Sequence, residues 1–77
     1  MSVTKDEAEA VKWYQKAADQ GYAKGEGDMG LAYENGEGVP KDLEKAKEWF
    51  QKAADQGLFW AKLGLKRISK EMAKNGA

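Results

Sequence analysis

Trp13-Tyr14-Gln15-Lys16-Ala17-Ala18-Asp19-Gln20-Gly21 returns 36 residues later as Trp49-Phe50-Gln51-Lys52-Ala53-Ala54-Asp55-Gln56-Gly57. Extended backwards, the match runs from Val3 to Gly21 against Val39 to Gly57 with 12 of 19 positions identical, well beyond chance. Apolar residues recur at helical spacing in both copies: Ala10, Trp13, Tyr14, Ala17 and Ala18 in one, Leu43, Ala46, Trp49, Phe50, Ala53 and Ala54 in the other. That spacing lines one face of an amphipathic helix. A period in the thirties built from such helices signals a helix-turn-helix solenoid, whose units bury their apolar faces only by stacking.

Working outward, Thr4-Lys5-Asp6-Glu7 predicts the start of the first helix, with Thr4 accepting from the amide of Glu7 and the Glu7 carboxylate reaching back. Pro40, Asp42 and Glu44 start the second copy, and Gly21 and Gly57 suit the left-handed residue that ends a helix. Between the copies, Met29, Leu31, Ala32 and Tyr33 form the apolar part of a shorter helix closed by the turn signal Asn35-Gly36-Glu37-Gly38. Trp60, Leu63, Leu65, Ile68 and Met72 predict a fourth helix over 58 to 74. The expected fold is all-α, a short α-solenoid of antiparallel helix pairs with about two repeats and four helices. Residues 1–77 form one domain: 3–21 the second helix of an incomplete repeat, 22–57 a full repeat, 58–77 the closing helix.

Composition narrows the function classes. A chain of 77 residues buries only about 60% of the surface its unfolded form exposes, so stability is thin. With no cysteine and no histidine, neither a disulfide nor a structural zinc site adds to it. Thirteen basic and 13 acidic residues are interspersed, which argues against nucleic acid and anionic membranes as partners. No apolar run approaches the roughly 20 residues of a membrane span, and Met1 to Glu9 is too charged for a signal peptide. The chain is expected to be soluble, and its lack of cysteine suits the cytoplasm without fixing a compartment.

Residues 29 to 57 carry Met29-Gly30, Tyr33, Gly36, Gly38-Val39, Asp42, Lys45-Ala46, Trp49-Phe50, Lys52-Ala53-Ala54 and Gln56-Gly57 in an order that resembles the Sel-one-like repeats, relatives of the tetratricopeptide repeats. The resemblance implies an α-solenoid in which Gly30 and the alanines allow close helix approach while Tyr33 and the Trp-aromatic pairs fill the gaps. It implies an adaptor that assembles protein complexes, with no catalytic residues. Two departures stand out. Ala23-Lys24-Gly25-Glu26-Gly27 puts glycines where a helix disfavours them, which predicts a late helix start with Asp28 as its cap. Leu63-Gly64 lies two residues closer to Gly57 than Met29-Gly30 lies to Gly21, so the closing helix need not dock like an ordinary repeat helix.

Chemistry-bearing patterns are weak. Gly25-Glu26-Gly27-Asp28-Met29-Gly30 spells the glycine pattern of dinucleotide-binding loops, but no strand precedes it and Glu26 and Asp28 would repel phosphates; a loosened turn or hinge is expected instead. Carboxylate pairs such as Glu7 with Glu9 or Glu34 with Glu37 lack a cleft to shift their pKa values, and Ser2, Thr4 and Ser69 lack a base. No EF-hand pattern is present. No catalytic residue, cofactor or metal is therefore assigned.

Trp13, Tyr14, Trp49 and Phe50 are expected in the core, whereas Phe59 and Trp60 cannot both be buried beside Leu58, and an exposed one favours a partner or a second copy. By analogy with helical solenoids, whose first helix of each pair lines the inner groove, the candidate partner contacts are Glu26, Met29, Tyr33, Trp60, Leu63 and Arg67. The function expected is a non-catalytic module that binds a protein or peptide. The alternative is a self-associating or engineered consensus fragment with a structural role, completing its core as a homodimer or by swapping helices about a glycine hinge at 21–30.

Overall fold

A computed structural model describes residues 6–75 of the chain. Four helices follow one another: α1 (Glu7–Asp19), α2 (Ala23–Asn35), α3 (Leu43–Asp55) and α4 (Phe59–Asn75). The 36-residue period governs their ends. Asp6 caps α1 by accepting the Glu9 amide at 3.0 Å, and Asp42 caps α3 by accepting the Lys45 amide at 3.1 Å. The predicted cap Thr4 lies outside the described residues; the described cap is Asp6, whose extended backbone aims its carboxylate at the first turn. At the other ends, Tyr22 N–H donates to Ala17 O and Gly21 N–H to Ala18 O, a pattern repeated by Leu58 and Gly57 on Ala53 and Ala54. This is the Schellman closure, and Gly21 and Gly57 take its left-handed residue with φ of 81° and 91°.

The expected late start of α2 is overturned. The helix begins at Ala23, runs through Gly25, Gly27 and Gly30, and buries all three glycines. Asp28 is no cap but a mid-helix residue, paired with Lys24 at 3.1 Å. The glycines are present because no Cβ fits: a methyl on Gly25 would lie 2.6 Å from Ala17 Cβ, one on Gly27 would collide with the Trp60 ring, and one on Gly30 would lie 2.7 Å from Phe50 Cδ1. Each glycine costs a helix up to about 1 kcal/mol against alanine, and here close packing on α1, α3 and α4 offsets that cost. A segment held by three neighbours is not the hinge that composition suggests.

Helix α2 packs on both α1 and α3, and α4 packs on α3 and along α2. Phe50, fully buried, is the centre of the core with Ala46, Ala53, Ala61 and Ile68. Its ring receives Gly30 from α2 and Gly64 from α4, where an added methyl would lie 2.8 Å from Cε2. Gly64, two residues early in the repeat, thus brings α4 onto the same ring. The starts of α2 and α4 nevertheless remain 36 residues apart, so the closing helix keeps the repeat register. Among the aromatic residues assigned to the core, Phe50 is there, Tyr14 and Trp49 are half-buried, and Trp13 is 61% exposed because α1 packs on α2 alone among the helices.

Candidate functional site

Helices α2 and α4 lie side by side, and their contact defines a ridge. The Trp60 ring and Leu58 side chain sit over Gly27, one end of the pairing. At the other end, Arg67 Nε and Nη2 donate to the two Glu34 carboxylate oxygens at 3.0 and 2.9 Å. This bidentate bond, with Glu34 largely covered, raises the Arg67 pKa above its ordinary value; partial desolvation opposes the shift and the Glu34 charge adds to it. A third tie reaches from α3: Gln56 Nε2 donates to Glu26 Oε1 at 2.7 Å and to Gly21 O at 2.8 Å.

These ties decide the fate of the six candidate contacts. Met29, 1% exposed, is core and reaches only the floor of the cleft beside Trp13 and Tyr33, and Glu26, at 8%, spends its carboxylate on Gln56. Arg67 is exposed but engaged by Glu34. Trp60 is half-buried over Gly27, and Leu63, 42% exposed, is the one exposed apolar member. Tyr33 lies apart from them: it lines two open clefts of about 740 and 670 Å3, one walled by Trp49 and Lys52, the other by Trp13 and Lys16. The structure therefore groups Trp60, Leu63 and Arg67 on α4 and separates them from Tyr33.

Of two further features, one was legible in the sequence only in part and the other escaped it. Phe59, 71% exposed, precedes Leu63 by one helical turn and makes an apolar pair with it on the outer face of α4. The sequence indicated that Phe59 or Trp60 would be exposed; only the position of Gly27 decides that it is Phe59. The second is a set of lysines over aromatic rings: Lys16 on Trp13 at 4.8 Å, Lys52 on Trp49 at 4.7 Å and Lys45 on Tyr33 at 5.4 Å. The first two pairs are 36 residues apart and each contributes about 0.5–1 kcal/mol at an exposed site. Their signal was the lysine three residues after each tryptophan.

Among the described residues no group of three or more metal-ligating side chains converges, and no helix is long and apolar enough to cross a membrane. The Glu34 carboxylate, one of the paired carboxylates that the sequence offered without a cleft, is committed to Arg67.

No curated protein matches the chain. The family described as Sel1 repeat matches residues 1–22 and again residues 23–58. Among solved structures, the chain is similar to a Sel1 repeat protein from Oxalobacter formigenes, at 39% identity and a TM-score of 0.82. That likeness covers 90% of this chain and 28% of the other, so the chain spans little more than a quarter of its length.

Proposed function

The chain belongs to the Sel1 repeat family, whose members generally mediate protein–protein interaction, and from that premise we propose that it is a non-catalytic module holding a protein or peptide on the outer face of α4. The observation that supports this is the pair Phe59 and Leu63, 71% and 42% exposed on a helix anchored to the core through Ala61, Gly64 and Ile68. Apolar side chains fixed in water on a packed helix gain free energy when a partner covers them. Trp60 borders this face, while Tyr33 offers a separate contact in the cleft beside Trp49.

Selection from a random-peptide display library tests the reading. It should return binders that are lost on the double substitution Phe59→Ser with Leu63→Ser, while circular dichroism shows the helices intact. Binders insensitive to that double substitution but lost with Trp13→Ser would move the site to the α1 cleft; a library yielding no binder would contradict the module itself.

A further inference from the structure

The outer face of α4 is not a plain continuation of the repeat. Thirty-six residues separate equivalent positions of α2 and α4, so each position of α4 can be compared with the contact its counterpart makes. Gly27, which admits the Trp60 ring, becomes Leu63; Gly30, which admits the Phe50 ring, becomes Lys66. Glu34, which pairs with Arg67 of α4, becomes Lys70. Another repeat carrying the same Trp and Phe would meet a Leu side chain and a Lys stem where this one meets hydrogen atoms. A second copy stacking its α1 on α4 meets the same obstacle, since Tyr14 stands at the Phe50 position.

Charge on this face is equally distinctive. Helix α4 holds five of the 13 basic residues and one of the 13 acidic ones, so it carries +4 in a chain of net zero. Lys62, Lys66, Lys70 and Lys74 follow at four-residue spacing, a stripe of about 18 Å at 1.5 Å per residue, and all four are exposed. None has an acidic partner among the described residues, whereas Lys24 and Lys41 pair with Asp28 and Glu71, and Lys16, Lys45 and Lys52 cover aromatic rings. At 100° per residue, Phe59, Leu63, Lys66 and Lys70 fall within roughly 60° of one another on the side opposite Ala61, Gly64 and Ile68.

We propose that this face is the docking site for an acidic amphipathic helix of a partner protein, which rests on the binding-module reading above and names the partner's chemistry. The partner lies along α4 much as α4 lies along α2. Its apolar residues cover Phe59 and Leu63, with a small residue over Leu63 in place of the tryptophan that Gly27 accepts. Its carboxylates, four residues apart, meet Lys66 and Lys70, reversing the polarity of the Glu34–Arg67 bond one repeat earlier. The like charge of the stripe disfavours a second copy's α4 on the same face.

The same display selection reads this out, with vesicles of phosphatidylserine and phosphatidylcholine as a parallel probe. Enriched peptides should carry Asp or Glu at four-residue spacing beside an apolar i, i+4 pair, lose at least about tenfold in affinity against the double variant Lys66→Glu with Lys70→Glu, and weaken several-fold between about 50 and 500 mM salt. Both lysines are exposed, and circular dichroism confirms that the variant folds. Binders without acidic bias, or indifferent to the charge reversal, would overturn the proposal while leaving the module reading intact. Vesicle binding that the reversal abolishes, with no acidic peptide enriched, would assign the face to lipid and overturn it as well.

Discussion

Gly30 and Gly64 approach the Phe50 ring from two different helices, and each leaves no room for a Cβ. Alanine, usually the better helix former, should therefore destabilise at both positions: Gly30→Ala and Gly64→Ala are expected to cost about 1–3 kcal/mol by overpacking, read as a lower urea midpoint. The caps give a second residue-scale prediction. Asp42→Ala removes the acceptor of the Lys45 amide and should cost about 1 kcal/mol, visible as a fall in melting temperature with the helical signal intact. Glycine is also where sequence reasoning failed. In the one-dimensional pattern Gly25, Gly27 and Gly30 resemble helix breakers or a phosphate loop; what makes them helical is the bulk of Ala17, Trp60 and Phe50, brought close only by tertiary packing. The caps Gly21 and Gly57 were legible because their cause is local.

At the scale of elements, the repeat made α1 and α3 readable, and apolar spacing indicated α2, though with its start placed too late, and α4, whose start follows Gly57 and Leu58 as that of α2 follows Gly21 and Tyr22. Which face of each helix meets water was less legible. Trp13 and Trp49 occupy the same repeat position but differ in burial, because α3 is flanked by α2 and α4 while α1 has α2 alone. Candidate contacts drawn from helix order therefore mixed interior residues, Met29 and Glu26, with the exposed Leu63. The α2–α4 pairing is itself testable through its ion pair. Reversing either charge alone, Glu34→Arg or Arg67→Glu, should lower stability, and the double reversal should recover most of the loss, a coupling of about 0.5–1 kcal/mol given the exposure of Arg67. Because the Arg67 pKa is raised in the folded state, this contribution is fully present below the ordinary guanidinium value and is lost only as pH rises through the higher folded one. The charge-swap cycle should accordingly give the same coupling at neutral and mildly alkaline pH.

For the whole molecule, the stack measures 43 × 27 × 18 Å, an elongated body whose centre is Phe50 with Ile68 among alanines and glycines. A core of this kind is stabilised by closeness rather than by bulk: alanines at 46, 53 and 61 and glycines at 30 and 64 let three helices, α2, α3 and α4, share one ring. Overall architecture was readable from the 36-residue period, because a solenoid repeats its contacts. The proposed binding face was not, because it is argued from where the repeat is broken, at Leu63, Lys66 and Lys70, and each break has meaning only against the contact its counterpart makes. On the proposal made above, these breaks turn α4 from a stacking surface into a docking surface. Light scattering after size exclusion, from micromolar to millimolar chain, tests it most directly. The predicted result is a mass of 8.5 kDa at every concentration. A mass that climbs with concentration and returns to the monomer value with Phe59→Ser and Leu63→Ser would contradict it, showing that α4 still stacks on another copy of the chain.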